Sequence, residues 1–476
     1  MSVFLMVCNG ERGNWTLEFE RNKERRSHIL TRTNLIWILV TLAYLCIFQF
    51  WERTNWERSL SGTLYILGFC GLSVVYGFLF LSKTFETAGK LSFFLGLLVR
   101  VILIFSAPIF EDDWARYLWD GWISSEKGSP YGITPEAFFG ELDPTRTEIL
   151  SRINHPDWPT IYGPVLEIYF YLIHLLFPWK LWALKVFLLA PDILLFFLIR
   201  VKYGARSSAL YFWNPILIKE VFLNAHPDIL GIFLLFYSFY LAEKYRFRLS
   251  FFIWGLSLAV KGFGVLLFPF LLKLHWDRDR NWKKAGIDAT FSVLGIVLVY
   301  SPFLFFSKET DFTALSRFIG SFTFFPLGYN ILHTIFGEYS RVFWAFPAVL
   351  SILFFLNKRY SYCLGEEEKL SITFFLFFYF SPVVNAWYLL WMLPFLLRIS
   401  RFFWPSWAFL FLGQISYLNY ANLGDWKSVL EKGYYAHPDF LLISISFLFI
   451  PILLIWFRIR FSSKITNSLE KPSLLG

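Results

Sequence analysis

Gly62 to Ser82 reads GTLYILGFCGLSVVYGFLFLS, twenty-one residues without a charge. A membrane-crossing helix needs about 20 consecutive apolar residues, so this stretch alone places the chain in a bilayer. Working outward, similar runs occupy Leu35 to Trp51 before it and Lys90 to Phe110 after it. The whole chain agrees: of 476 residues 56% are hydrophobic and 17% charged, and the mean hydropathy is +0.51. An ordinary soluble protein carries about 25% charged residues. A soluble enzyme and a disordered chain are both excluded. The aromatic share of 22% suits lipid-facing helices with interfacial belts.

Residues 1–34 are polar and basic around Lys23 to Arg26. They lack the short apolar core and cleavage site of a secretory signal and are expected to form a cytoplasmic tail. Three crossings then bring the chain outside, where it meets its longest polar stretch, Glu111 to Thr160, with ten acids against four bases. Further apolar segments run Ile161 to Phe177, Leu181 to Ile199, Ser208 to Leu223, Ile229 to Leu241, Ser250 to Leu272 and Ala285 to Phe306. Val342 to Leu356, Leu370 to Phe380, Trp387 to Leu397, Phe402 to Tyr420 and Phe440 to Phe457 complete the series. The predicted architecture is all-α and polytopic, with about 12 to 14 membrane helices. A transmembrane domain over 35–457 carries the extracytoplasmic loop 111–160, and a cytoplasmic tail covers 458–476.

Two segments break the pattern. Ser250 to Leu272 has basic flanks on both sides, which the positive-inside rule forbids for a single crossing. It reads as a broken re-entrant pair turning near Lys261 to Gly264. Between Ile161 and Ile199, an outside start and a basic end allow only one of two apolar segments to cross, and the sequence does not say which. The net charge of +9 reflects cytoplasmic loops, and no nucleic-acid partner is implied. Cys8, Cys46, Cys70 and Cys363 form no disulfide or zinc spacing.

The chemistry concentrates in EDDWARYLWDG, Glu111 to Gly121, directly after the third span. On a helix, Asp112 with Arg116 and Asp113 with Arg116 and Asp120 share one face, so carboxylates sit beside a guanidinium. Such a carboxylate can accept a proton from an attacking hydroxyl while its neighbours tune its pKa. The same pattern also suits a plain charged cap on a membrane helix. Trp114, Trp119, Trp122 and Trp158 could stack on sugar faces or merely form an aromatic belt. Lys261 is the only charge within Ser250 to Leu272, a costly depth for an ammonium that demands a partner. Asp112, Asp113, His155 and His226 could make a divalent metal site, though their spacing does not require one.

The runs EDDWARYLWDG, GSPYG, INHPDWPTIYGP, WNPILIKEVFLNAHPD, AVKGFGVLLFPFLL and SPVVNAWYLLWMLPFL, in this order, resemble bacterial polyprenyl-phosphate-sugar-dependent glycosyltransferases of the type C membrane fold, close to mannosyltransferases. The resemblance spans Pro108 to Leu397. It departs at Gly163, where relatives tend to have Pro, and at Asn385-Ala386, where they tend to have His-Pro. The resemblance implies Asp112 as catalytic base with Asp113 beside it, and transfer of a hexose such as mannose, with inversion, to a glycan, lipid or protein acceptor. It also implies a site facing outward from the bacterial inner membrane, among membrane lipids. Arg116, Tyr117, Asp120, His155, Tyr162, His226, Asp228 and Lys261 are the candidates for binding donor phosphate or substrate, with Asp228 fixing the tautomer of His226. A transporter or flippase of a lipid-linked substrate, or a scaffold for envelope assembly, is the competing reading. A transporter would concentrate its ionisable groups at mid-membrane and often show repeated halves.

Overall fold

The computed structural model describes residues 12–54, 61–82, 84–140, 143–306, 313–357, 364–398 and 403–417. The expected final span Phe440 to Phe457 and the tail 458–476 lie outside these residues. Among the described residues the protein is all-helical and polytopic, with only an isolated bridge pairing Phe324 and Val383. Among the described residues four helices are long and apolar enough to cross a bilayer: Arg32–Arg53, Leu64–Leu81, Leu181–Tyr203 and Trp282–Phe305. A pair bent by 64°, Leu327–Phe343 with Phe346–Leu356, makes a fifth if taken as one span. Their outward faces are apolar: Leu67, Val74, Leu81, Val297 and Phe305 are all exposed, a surface that lipid tails cover and water would not tolerate.

Other expected spans are shorter or broken. The helix Lys90–Ile104 stops six residues before Phe110, because the fully buried Lys185 donates from Nζ to the carbonyls of Leu103 and Ser106 at 3.3 and 2.6 Å. An ammonium satisfies the orphan carbonyls at a helix C-terminus and complements its dipole. Ser208 to Leu223 divides into Ala205–Phe212, a short turn capped by Asn214, and a π-helical turn Ile218–Leu223. Between Ile161 and Ile199, Pro164–Leu176 has 13 residues and Leu181–Tyr203 has 23. At about 1.5 Å per residue only the second reaches across about 30 Å, which identifies the crossing element.

Ser250 to Leu272 is broken where its basic flanks and Lys261-Gly262 suggest. Phe247–Leu258 ends, Lys261 is extended at φ −151°, and a 3-10 turn Gly262–Leu267 leads into Phe268–Asp279. The stretch Gly163 to Val165, just past the polar loop, seals against this break. Val165 N–H donates to the Ala259 carbonyl at 3.1 Å, and a Cβ on Gly163 would fall 2.1 Å from the same oxygen. Only glycine permits that approach, so Gly163 lets the end of the polar loop close onto the backbone just before Lys261.

Arg100 and Asp192 are fully buried at 2.6 Å, with Tyr211 donating to the second Asp192 oxygen at 2.7 Å and the guanidinium stacked 3.6 Å above Phe212. Such a pair ties Lys90–Ile104 to Leu181–Tyr203 and to Ala205–Phe212.

Candidate functional site

The polar loop folds back on the membrane domain rather than standing in solvent. After Ile104 the chain runs through Phe110 in a left-handed conformation, φ 56°, with its ring against Tyr65 at 5.3 Å. The Ile109 N–H is held by Asn224 Oδ1 at 3.1 Å. These contacts fix the direction in which Glu111, Asp112 and Asp113 leave the bundle. The helix Asp113–Lys127 then packs on Pro164–Leu176: Tyr117 stacks on Phe170 at 4.8 Å, and a Cβ on Gly121 would meet the Phe170 carbonyl at 2.4 Å.

Asp112 occupies the cap position before this helix, φ −126°, without capping it. The i to i+4 geometry expected with Arg116 therefore fails. Arg116 instead pairs with Asp120, Nε to Oδ1 at 2.8 Å, and donates from Nη1 to the Trp158 carbonyl at 2.9 Å. Asp120, 2% exposed, thus anchors the loop, near a second buried carboxyl, Glu167, which takes a hydrogen bond from the Thr160 hydroxyl at 2.6 Å. Freed from its helix, the Asp112 carboxylate receives the side-chain amide of Asn154. Burial pushes its pKa up to about 7, helped by the charge of Asp113.

Asp113 is raised above the usual carboxylate range by burial. It is pulled back by the Lys261 ammonium, a hydrogen bond from Tyr162 and the Arg116 charge, against the opposing charge of Asp228. Glu111 is buried and raised well above that range by desolvation and by both neighbouring acids. Oxygens of Glu111, Asp112 and Asp113 lie within 4.8 Å of one another, close enough to share a proton or a divalent cation. The expected metal set changes accordingly: among the described residues Glu111 joins the two aspartates, while His155 and His226 do not.

Lys261 has a carboxylate partner. Its ammonium lies 2.7 and 2.9 Å from the two oxygens of fully buried Asp228, which also accepts Trp391 Nε1 at 2.8 Å. The Lys261 side chain keeps 16% of its surface exposed and lies over the ring of Tyr388 at 4.6 Å. Asp228 is therefore engaged with Lys261 and does not set the tautomer of His226. That histidine is fully buried, stacked on Trp387 at 3.8 Å, with Nδ1 3.3 Å from the Tyr117 hydroxyl and Nε2 3.6 Å from Glu220. Glu220 also receives Lys219, Gln414 and Tyr417.

The fold thus gathers Asp112, Asp113, Arg116, Tyr117, Tyr162, Asp228 and Lys261 where the loop, the broken segment and the start of Asp228–Glu243 converge. His226 lies behind Tyr117 in the core. His155 lies on the outer side, next to Asn154. Sequence reasoning passed over Glu111, Asn154, Tyr388 and Trp391. Asn154 stood within INHPDWPTIYGP, and its place in that run was the available signal; the two aromatics were indistinguishable from a belt.

No curated protein and no solved structure matches this chain. The family model described as alpha-(1->6)-mannopyranosyltransferase, N-terminal domain, matches residues 37–277, a range that contains the acidic triplet, the whole polar loop and the Lys261–Asp228 pair. The chain belongs to this family of mannosyltransferase-type membrane glycosyltransferases.

Proposed function

We propose that the protein transfers a hexose, mannose by its family, from a polyprenyl phosphate to an acceptor hydroxyl on the extracytoplasmic face of the bacterial inner membrane, with inversion. The observation that carries the reading is Asp112: a carboxylate held by Asn154, outside its own helix, with a pKa raised to about 7. A base matched to neutral pH is what proton abstraction from a sugar hydroxyl needs. Asp112 takes the hydroxyl proton as that oxygen attacks the anomeric carbon. The bond from that carbon to the phosphate oxygen breaks on the opposite side, so a single displacement inverts the centre. Charge then grows on the departing lipid phosphate, and Lys261, partly exposed beside Tyr388, is the cation placed to meet it. An interaction that strengthens as the sugar leaves accelerates the reaction rather than merely binding the donor. The outward orientation is supported by the basic loops at Lys202 to Arg206, Lys244 to Arg248 and Arg278 to Lys284, which belong on the cytoplasmic side.

The test incubates purified protein with polyprenyl-phosphate mannose and an alkyl mannoside, with product and free lipid phosphate read by mass spectrometry. Transfer by wild type and a loss of at least about 100-fold in Asp112→Asn are expected. Full turnover in Asp112→Asn, or no transfer from any polyprenyl-phosphate hexose, overturns the reading.

A further inference from the structure

Beside the acidic triplet stands an aromatic wall that the reaction above leaves unused. Asn154 holds Asp112, and the next residue, His155, stacks on Trp158 with ring centres 5.0 Å apart. Phe322, from a different part of the chain, meets these two rings edge-on at 5.9 and 6.4 Å. All three rings are half-buried, neither sunk in the core nor part of a long lipid-facing helix. Arg116 of the site helix grips the wall through the Trp158 carbonyl. His155 is held at φ 50°, in the left-handed region that histidine enters more readily than most side chains.

Two planar polar side chains rim the rings. The Arg317 guanidinium lies 5.2 Å from the Trp158 ring centre, and Asp157 lies 3.8 Å from Arg317. They are 60% and 49% exposed, so their ion pair is weak and opens readily. The flat surface is the indole face under Arg317, since Trp158 stacks on His155 while Phe322 stacks on Phe318 and stands edge-on to both; bordered by a forked donor and a carboxylate, that face matches a pyranose. The C–H face of the sugar packs on the indole with Phe322 at its side, and its hydroxyls take directed hydrogen bonds from the rim. A lipid tail would have no use for that polar edge.

We propose that His155, Trp158 and Phe322, rimmed by Asp157 and Arg317, form an acceptor subsite that binds a pyranose of the acceptor. The sugar is admitted when Arg317 swings off the indole. The subsite lies on the Asn154 side of Asp112, so an adjoining hydroxyl is delivered to that carboxylate. Its catalytic meaning rests on the function proposed above; its binding of sugar does not.

The full chain is solubilised in a detergent without a sugar head. Binding of radiolabelled octyl α-mannoside is measured by equilibrium dialysis without donor, and acceptor KM, donor KM and kcat are measured with it. For Trp158→Ala and Phe322→Ala the expected result is glycoside affinity about tenfold weaker or more, of the order lost with a central aromatic contact. The loss appears in acceptor KM rather than in donor KM or kcat. Trp158→Phe should recover most of it, which keeps the test open if Trp158→Ala misfolds. Unchanged acceptor KM in Phe322→Ala and Trp158→Phe together with wild-type affinity, or a rise confined to donor KM, overturns the subsite while leaving the transferase reading intact. Glycoside binding that depends on Trp158 and Phe322, in a protein that transfers no hexose, supports the subsite and sinks the proposed reaction instead.

Discussion

The sharpest consequence of the site geometry is a pH dependence set by Asp112. With a pKa of about 7, the carboxylate is ionised in about one tenth of molecules at pH 6 and about nine tenths at pH 8. Only the ionised form accepts a proton, so kcat should rise through pH 7 by nearly tenfold between these values and flatten above. The proposed donor is a phosphodiester and does not titrate in this window, so the acid limb belongs to the protein. Its midpoint depends first on burial and then on Asp113. Asp113→Asn removes a like charge and should move the midpoint below 7, though not to the ordinary carboxylate value, because burial remains. Stability should run the other way. The folded protein holds the Asp112 proton at pH values where the unfolded chain has lost it, so stability falls as pH rises from about 4 to about 7. The assay is initial transfer rate with saturating donor from pH 5.5 to 8.5, with thermal unfolding in the same buffers. A flat profile refutes the assignment, as does an acid limb that survives in the residual activity of Asp112→Asn.

Lys261→Met leaves Asp228 buried without its cation and should cost about 3–5 kcal/mol in unfolding measurements. Lys261→Met combined with Asp228→Asn should recover most of that stability but not turnover, and recovery of both would reduce Lys261 to a staple. Asp192→Asn should destabilise by a similar amount by stranding Arg100, whereas joint replacement by Met and Leu should come close to wild type in thermal stability. Gly163→Ala pushes a methyl into the Ala259 carbonyl and should cost about 1–3 kcal/mol; full stability with full activity would show that the loop does not depend on that approach.

The fold was legible in proportion to how local its signals are. Gly62 to Ser82 needs only its own composition to become the helix Ser61–Leu81. The break at Lys261 could be read because its basic flanks and its Lys-Gly pair all lie within one segment. The short end of Lys90–Ile104 could not, since Lys185, which caps it, comes some eighty residues later. The same limit governs the site. Asp112 and Asp120 stand at equal spacing on either side of Arg116, so helical periodicity fits both partners; the choice of Asp120 follows from where the helix begins, which tertiary contacts around Phe110 decide. His226 and Asp228 are two residues apart yet serve different partners. The π-helical turn just before them shifts the register that brings Glu220 to His226, and nothing in the residues IKEVFL announces it.

The distribution of satisfied and unsatisfied charge also bears on what kind of machine this is. In the bundle, Asp192 takes Arg100 and Tyr211, while Glu220 takes Lys219, Gln414 and Tyr417. Carboxylates that already accept two or three donors have little left to offer a substrate passing through, and opening either cluster would strand a buried charge. A transporter would have to open such clusters in every cycle. In the loop the balance is reversed. Glu111, Asp112 and Asp113 crowd together, one Glu111 oxygen is buried without a hydrogen-bond partner, and Lys261, the cation that acts most on Asp113, is bonded to Asp228. The protein therefore spends its ion pairs on holding the bundle still and leaves its uncompensated basicity at one fixed place beside the polar loop. That arrangement suits a stationary site that removes a proton better than a path along which a charged lipid moves.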